Sequence, residues 1–251
     1  MKIQREQIIK HLEDSLKNNP SIFAFWLEGS DANGSVDQYS DLDFWLDVAD
    51  GQESKILEEI ENSLSTLGEL DFSYQIKHPH PLIKHKIFHI KGTPEFLLLD
   101  VCVQSHSRNF EFVRGYDDEP KVLFNRGGMK FRELDQSEFE SELKERIHHL
   151  KNTFAQQSRV LGKIERGEFL ESIMYYNRWV LEPLVELLRI KYIPRKREYF
   201  FKHIRRDLPK EVVDQLENLV KTESLEDMKE KIEMASKLFA ITLKDLEKTL
   251  S

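Results

Sequence analysis

Apolar positions in the first part of the chain switch between the spacing of helices and that of strands. They recur at helical spacing over residues 3–18 and 56–67. Residues 22–27 are continuously apolar, which is typical of a strand covered on both faces, and residues 42–48 supply the next strand. Three short extended segments follow, separated by turns that contain Pro or Gly: residues 71–76, 86–90 and 95–103. The pattern predicts a mixed β-sheet flanked by helices.

The pattern from Glu138 onward is almost wholly helical. Its four amphipathic stretches are residues 138–166, 169–190, 210–222 and 225–250. Residues 115–132 are predicted to connect the two halves. We therefore predict an α+β chain with two domains, a sheet domain over residues 1–132 and a C-terminal helical bundle over residues 133–251. The length of 251 residues agrees with two domains, since domains average roughly 150 residues.

The composition narrows the classes of function. A formal net charge of −8 at pH 7 disfavours nucleic acid as a partner, because phosphate backbones select basic surfaces. Cys102 is the only cysteine, which excludes a disulfide framework and a zinc site made of several cysteines and favours a reducing compartment. The N-terminal residues are too polar for a signal peptide, and no stretch approaches about 18 apolar residues. We therefore expect a cytoplasmic protein with no membrane partner.

Two short segments beside the predicted strands carry the candidate chemistry. Gly29-Ser30 follows the strand of residues 22–27, and Asp41 and Asp43 open the strand of residues 42–48. Side chains at positions i and i+2 of a strand share a face, and two carboxylates about 4 Å apart repel by about 4 kcal/mol at an effective dielectric constant of about 20. A divalent cation relieves this repulsion, and Mg²⁺ is commonly held by carboxylates together with substrate phosphates. The segments predict a phosphate-and-metal site.

Asp100 is a third acid in the same part of the chain. It is the only charge within the apolar residues 96–103. Because an isolated buried carboxylate is expensive, it must be paired, bound to metal or placed at an exposed strand end. Beside Asp41 and Asp43, it would complete a set of three carboxylates for two metal ions.

The combined pattern resembles the nucleotidyltransferase superfamily that includes DNA polymerase β. The resemblance rests on Gly29-Ser30, the ten-residue spacer that ends in Ser40, the pair Asp41 and Asp43, and the later Asp100. It covers roughly the first 105 residues. The helical remainder more loosely resembles the C-terminal domains of small antibiotic nucleotidyltransferases, which include the aminoglycoside and lincosamide enzymes.

The resemblance implies a nucleotidyltransferase catalytic domain followed by a helical substrate-binding domain. It implies that the enzyme transfers a nucleoside monophosphate, with AMP from ATP favoured, to a hydroxyl of a small-molecule acceptor and releases pyrophosphate. Asp41, Asp43 and Asp100 would be the catalytic residues and would hold two Mg²⁺ ions, with Mn²⁺ as the alternative. The nucleotide would be bound by three small residues, Gly29, Ser30 and Ser40.

One departure from the family pattern keeps alternatives open. Many relatives carry a basic residue near the fourth position after the Gly, whereas this chain has Asp31 and Asn33 in that loop. A nucleotide-binding regulatory module of the same fold that has lost turnover is therefore one alternative. Nucleotidylation of a protein or RNA acceptor is another, although the negative net charge counts against RNA.

The stretch of residues 189–206 concentrates cations and aromatic residues in an otherwise acidic chain. One interpretation is that Lys191, Arg195, Lys196 or Arg197 reaches the triphosphate, since cationic clamps are a main contributor to phosphoryl transfer. The other is a solvated helix face above a buried aromatic stripe. A nucleic-acid patch is a third and weaker interpretation.

Further candidates lie in the helical half. Glu168 and Glu171 are candidates for a general base, although acids on helices mostly face solvent. Tyr175, Tyr176 and Trp179 have helical spacing, so they could line an acceptor pocket, but such a stripe is more often interhelical core.

The remaining candidates are histidines and the single cysteine of the first half. His78, His80, His85 and His89 are close in sequence, but no pair has the helical geometry and accompanying acid of a zinc motif. His85 and His89 are four residues apart, but the residues between them are predicted to be a strand. We interpret them as part of an exposed hairpin. Cys102 shares a predicted strand face with Asp100, and we interpret it as a small core residue.

Overall fold

The computed structural model describes residues 3–116 and 118–250. They form two compact units, Met1–Leu134 and Asp135–Ser251. The first unit contains a mixed sheet with flanking helices, and the described residues of the second are helical apart from turns and links. The α+β class predicted from the hydrophobic pattern is therefore confirmed.

Eight strands lie in the described part of the first unit. They are β1 (Ile22–Leu27), β2 (Leu42–Val48), β3 (Leu70–Ile76), β4 (Ile83–Ile90), β5 (Leu99–Ser105), β6 (Glu111–Arg114), β7 (Lys121–Asn125) and β8 (Lys130–Glu133). Six form one sheet in the order β3-β4-β5-β2-β1-β7, and β6 pairs with β8 in a separate ribbon. Within the six-stranded sheet β2 and β5 are parallel and the other neighbouring pairs are antiparallel.

Helices α1 (Arg5–Leu16) and α3 (Glu53–Leu67) pack their apolar stripes against one face of this sheet. A short helix, α2 (Gly29–Asn33), links β1 to β2. The core that these elements share is made of fully buried side chains such as Leu12, Ile60 and Phe44. Its apolar residues recur at helical spacing in α1 and α3 and at every second position in β2, which is why the hydrophobic pattern indicated both kinds of element.

The opposite face of the sheet is polar where β2 and β5 meet. Along these strands Asp43, Trp45 and Asp47 alternate with core residues of β2, and Asp100, Cys102 and Gln104 alternate with core residues of β5. We call these six side chains the polar face. Asp47 is buried there, where its carboxylate accepts hydrogen bonds from Gln104 Nε2 at 2.9 Å and pairs with His106 Nδ1 at 2.7 Å.

A small second cluster covers the neighbouring part of β1 and β2. Trp26 packs with Phe112 of β6 and with Met129, and Trp45 stacks on Trp26 with ring centroids 6.1 Å apart. Residues 115–132, which we predicted to be a simple connection, therefore contain β7 and most of β8. These two strands expose most of their side chains, so they lack the apolar pattern by which β1 and β2 were predicted.

The second unit contains seven α-helices among its described residues. They are α4 (Gln136–Phe154), α5 (Ser158–Ile164), α6 (Phe169–Tyr176), α7 (Glu182–Tyr192), α8 (Ile204–Asp207), α9 (Lys210–Val220) and α10 (Leu225–Thr249). Among residues 3–116 and 118–250, none of the helices combines the length and the apolar character that a membrane span needs.

Two stretches that were predicted as single helices are broken in the structure. A 3₁₀ turn, Ala155–Gln157, separates α4 from α5, and a π-helical turn, Asn177–Leu181, separates α6 from α7. Pro183 lies at the start of α7. Because proline lacks an N–H and crowds the carbonyl four residues earlier, regular α-helical hydrogen bonding does not continue through this point.

Candidate functional site

The register of the parallel pair β2 and β5 brings together two of the predicted acids. Asp43 lies directly opposite Asp100, and both side chains are partly exposed on the polar face. Neighbouring strands are about 4.8 Å apart, so the two carboxylates are close enough to share one cation. The backbone pairing of β2 with β5 therefore makes Asp43 and Asp100 neighbours, whichever rotamers their side chains adopt.

Gly29 lies against the carboxylate of Asp43. The backbone of Gly29 has φ +60°, and a Cβ atom at this position would be 2.0 Å from Asp43 Oδ2. The preceding residue, Glu28, donates its N–H to the carbonyl of Asp43 at 3.0 Å. The structure therefore places the Gly-Ser turn, at the start of α2, directly at the first acid of β2.

Asp41 lies in the segment before β2 and is exposed to solvent. Its orientation is therefore not fixed by strand pairing, unlike that of Asp43. Ser40 is part of the turn that precedes it, where Ser40 Oγ donates to Asp37 Oδ1 at 2.9 Å and accepts from the Asp37 N–H at 2.9 Å. This turn sets the path by which the chain enters β2.

Arg5 of α1 connects the two halves of the predicted motif. Its guanidinium donates to the carbonyl of Ser40 at 2.8 Å, to Ser30 Oγ at 3.5 Å and to the carbonyl of Asp41. It also forms an ion pair with Asp31, and the two side chains are only 10% and 5% exposed. Arg5 thus holds the Gly-Ser turn and the Asp41 segment in one arrangement.

The sequence contained a signal for Arg5 that our interpretation missed. Arg5 lies in line with Ile8, Ile9, Leu12 and Leu16 on the stripe of α1 that faces the core. A charge at such a position needs a buried partner, and Asp31 is that partner. Asp31, the acid that departs from the family pattern, is therefore neutralised within the fold by Arg5. Lys121 Nζ also lies 4.0 Å from Asp31 Oδ1.

His85 and Cys102 extend the group around Asp100. His85 Nε2 is 2.6 Å from Asp100 Oδ1, and potential ligand atoms of His85, Asp100 and Cys102 all lie within 4.8 Å of one another. The prediction of an exposed hairpin is wrong for His85, whose side chain is 16% exposed. The physical reason is that β4 pairs with β5 and presents His85 on the same face as Cys102.

The surroundings of Cys102 are electronegative. Burial raises the pKa of the Cys102 thiol to about 12, and the charges of Asp100, Glu28 and Asp43 act in the same direction, whereas Arg108 opposes them. Cys102 is buried, in agreement with the core interpretation, although it lies on the polar face. The carboxylate oxygens of Asp43 and Asp100 are hard donors in a negative environment, which fits a divalent cation such as Mg²⁺.

The cations of residues 189–206 are largely engaged within the second unit. Lys191 Nζ is 2.7 Å from Asp245 Oδ2, Arg197 Nη2 is 3.4 Å from Glu142 Oε2, and Lys196 is buried. Arg189 is completely buried, where it pairs with Asp207 at 3.1 Å. Of the two main interpretations, the geometry favours internal ion pairs over a triphosphate clamp for Lys191 and Arg197. Lys196 is also turned inward, with its Nζ 5.6 Å from the centre of the Tyr199 ring.

The other candidates of the helical half are also engaged in local contacts. Glu168 is exposed just before α6, and Glu171 Oε2 accepts from Lys163 Nζ at 2.8 Å. Tyr176 is buried and donates its hydroxyl to the carbonyl of Leu219 at 3.1 Å. Tyr176 is therefore interhelical core and does not line an open pocket.

Comparison with known proteins gives similarity in structure alone. No protein-family model matches the sequence, and no curated protein matches it. The chain is similar to an aminoglycoside 6-adenyltransferase from Bacillus subtilis (14% identity, TM-score 0.41, 99% of this chain and 92% of that chain). It is also similar to a nucleotidyltransferase-like protein from Exiguobacterium sibiricum 255-15 (12% identity, TM-score 0.38, 93% and 75%). Both are nucleotidyltransferase folds, and at such low identities and TM-scores the similarity does not extend to chemistry.

Proposed function

We propose that the chain is a metal-dependent nucleotidyltransferase. It would transfer a nucleoside monophosphate, with AMP from ATP favoured, to a hydroxyl of a small-molecule acceptor and release pyrophosphate. The observation that carries the proposal is the pairing of Asp43 with Asp100 on adjacent parallel strands, with the backbone of Gly29 packed against Asp43.

Three carboxylates would hold the metal. Asp43 and Asp100 are fixed by the sheet, and Asp41 lies two residues before Asp43 on a segment that Arg5 holds. One or two Mg²⁺ ions, or Mn²⁺ in their place, would neutralise charge on the phosphoryl oxygens when bound. Phosphoryl transfer depends mainly on positioning and electrostatic stabilisation. The paired interior strands β2 and β5, together with the Gly-Ser turn, would supply the positioning.

The Gly-Ser turn would receive the triphosphate. Gly29 keeps the backbone close to Asp43, and Ser30 presents a hydroxyl, while Ser40 shapes the opposite side of the motif. The positive charge of Arg5 offsets the negative charge of Asp31, which would otherwise repel phosphates. Lys121 of β7 is half exposed and lies near Asp31, so it is our candidate for the cation that the loop itself lacks.

The acceptor hydroxyl would attack the α-phosphorus in line with the leaving pyrophosphate. The new bond joins the acceptor oxygen to the α-phosphorus, and the bond between that phosphorus and the bridging oxygen breaks. Asp100 is the carboxylate that could take the hydroxyl proton, since His85 Nε2, 2.6 Å away, holds one of its oxygens in place.

A nucleotide-binding module without turnover is the second candidate. Two observations favour it: Asp41 lies outside β2, and Asp100 Oδ1 already has His85 as a partner. Such a module would bind nucleotide without transferring it.

The decisive experiment combines binding and turnover. We expect the wild-type chain to bind ATP with Mg²⁺ in calorimetry and to release pyrophosphate with at least one member of a panel of small hydroxyl compounds. Asp43→Asn and Asp100→Asn should each lower the turnover rate by about 100-fold or more, because each removes a carboxylate ligand of the metal that would act on the reacting phosphate. Asp71→Asn, in the edge strand β3, is the matched control and should retain activity.

The outcomes separate the two candidates. Binding of Mg²⁺ and ATP without pyrophosphate release across the panel would support the module and reject the enzyme. Failure of the wild-type chain to bind any nucleoside triphosphate would reject both.

A further inference from the structure

A second cluster of potential metal ligands adjoins the proposed magnesium site. It consists of an imidazole nitrogen, a carboxylate oxygen and a thiol sulfur, from His85, Asp100 and Cys102. The ligand atoms lie within 4.8 Å of one another, and His85 Nε2 is 2.6 Å from Asp100 Oδ1. In a tetrahedral zinc site with bonds of about 2.0 to 2.3 Å, the ligand atoms are about 3.3 to 3.8 Å apart. Small side-chain rotations would therefore bring all three onto one ion.

The sheet holds the three residues at this spacing. His85 of β4 lies directly opposite Cys102 of β5 in the antiparallel register, and Asp100 lies two residues before Cys102. Directly opposed residues have their Cβ atoms about 4.5 to 5.5 Å apart, so both side chains project from neighbouring points of one face. β5 is an interior strand with β2 on its other side, which fixes the backbone that carries two of the ligands.

The charge around the cluster favours a cation. The carboxylate of Asp100 belongs to the cluster, and Asp43 lies directly opposite Asp100 on the adjacent strand β2. A dication at this point would be attracted by the carboxylates. As the bond from the metal to sulfur forms, the thiol proton leaves to solvent.

We propose that His85, Asp100 and Cys102 form a binding site for a borderline-soft transition metal of the Zn²⁺ class. The donor set contains nitrogen and sulfur, which Mg²⁺ disfavours and Zn²⁺ accepts, and three protein ligands leave a fourth position for water. Asp100 also belongs to the proposed magnesium site, so a Zn²⁺ ion here withdraws it from that site. This second consequence rests on the proposed function, whereas the binding of Zn²⁺ does not.

The test uses the full chain with Co²⁺ alone, without nucleotide. We expect one equivalent of Co²⁺ to produce the charge-transfer absorption of a cobalt–thiolate bond and Zn²⁺ to displace it. Cys102→Ser should abolish this absorption, and His85→Gln should weaken Co²⁺ binding by about tenfold or more, as loss of a metal-site partner does. His89→Gln removes another histidine of the same strand and should leave Co²⁺ affinity unchanged, because His89 bonds to Asp71.

Several results would overturn the inference. Co²⁺ binding without thiolate absorption would exclude Cys102 as a ligand. Equal Co²⁺ affinity in His85→Gln and His89→Gln would exclude His85. Asp100→Asn shortens no side chain, and unchanged Co²⁺ affinity in this variant, with circular dichroism that matches the wild type, would exclude Asp100.

Competition with Mg²⁺ tests the shared role of Asp100. We expect millimolar Mg²⁺ to weaken Zn²⁺ binding, and an unchanged Zn²⁺ affinity would overturn the shared role. Activity is measured with Mg²⁺ in the absence of Co²⁺ and Zn²⁺, since either ion would withdraw Asp100. A wild-type chain that is inactive under these conditions but shows the cobalt–thiolate absorption once Co²⁺ is added would contradict the proposed function while supporting the Zn²⁺ site. An active chain without that absorption would support the proposed function and contradict the Zn²⁺ site.

Discussion

At the scale of single residues, two glycines of the same loop have different relations to the candidate site. Gly29 and Gly34 begin and follow α2, and their φ angles are +60° and +71°. A Cβ on Gly29 would be 2.0 Å from Asp43 Oδ2, whereas a Cβ on Gly34 would have no atom within 4 Å. The pair therefore separates the effect of backbone strain from the displacement of a carboxylate.

We expect Gly29→Ala and Gly34→Ala to cause similar backbone strain but to differ in activity. Each substitution should cost about 1 to 2 kcal/mol of unfolding free energy, because the left-handed region disfavours a side chain. Gly29→Ala should cost about 1 to 3 kcal/mol more through the clash with Asp43 and should lower Mg²⁺-dependent turnover by about tenfold or more. Urea unfolding and pyrophosphate release measure the two effects.

Gly34→Ala is the control for strain in this comparison. Full activity in both variants would show that Asp43 can move without loss of the site. An equal loss of activity in both would show that the loop conformation matters, and not the contact with Asp43.

At the scale of elements, α1 contributes to the candidate site through one side chain. Arg5 binds Asp31 of α2 and the backbone that enters β2, at a point where both charged side chains are almost fully buried. A buried ion pair adds little compared with an apolar pair, but a single buried charge left without its partner is strongly destabilising.

We expect Arg5→Met to lower the free energy of unfolding by about 3 to 5 kcal/mol, because Asp31 then remains buried as an unpaired charge apart from the more distant Lys121. Adding Asp31→Asn should restore a large part of this loss. A double-mutant cycle in urea measures the coupling between the two residues. Additive effects would show that Arg5 acts mainly through Ser40 and Asp41.

The edge hairpin of β3 and β4 carries a pair whose strength depends on pH. Burial lowers the pKa of His89, but the hydrogen bonds to Asp71 and to the carbonyl of Pro94, with the charges of Asp71 and Glu95, raise it by more. The pKa of folded His89 is therefore above the ordinary value of 6.5. Protonated His89 stabilises the fold, and this contribution is complete below the unfolded pKa and lost as pH rises through the folded pKa.

We expect His89→Gln to lower the unfolding free energy by about 1 kcal/mol near pH 5.5 and by less above the pKa of folded His89. Urea unfolding at several pH values measures the difference from the wild type. Asp71→Asn should reduce the same pH dependence, since Asp71 supplies most of the attraction. A stability difference that grows with pH would contradict the assignment.

The elements differ in how much of them the sequence could predict. β1 was predictable because both of its faces are covered, and β2 because its buried apolar residues alternate with residues of the polar face. β7 and β8 are exposed and lack such a pattern. The placement of His85 beside Asp100 follows from the register of β4 and β5, which no local pattern encodes. An alternation of apolar and polar residues predicts which face of the sheet a side chain lies on. Only the pairing of the strands determines which residue of the neighbouring strand lies beside it.

At the scale of the whole molecule, each unit has its own buried apolar residues. The α+β class was predictable because amphipathic periods persist over long stretches in both halves. The basic stretch was ambiguous because sequence gives charges without their partners, and Asp245 and Glu142 lie far from Lys191 and Arg197 in the chain. The place of Arg5 on the apolar stripe of α1 indicated a buried charge, but not its partner, since Asp31 is 26 positions away.

The parallel pairing of β2 with β5 has a consequence for how the protein folds. Pairs in this register, such as Asp47 and Gln104, join residues 57 positions apart, and α3, β3 and β4 lie between them. Closing a loop of this length loses chain entropy before any contact compensates for it, so such pairs form late. Asp43 and Asp100 therefore meet only when the intervening elements are in place. A divalent ion that needs both carboxylates would lock the finished fold and slow its unfolding, and it would not accelerate the early steps of folding.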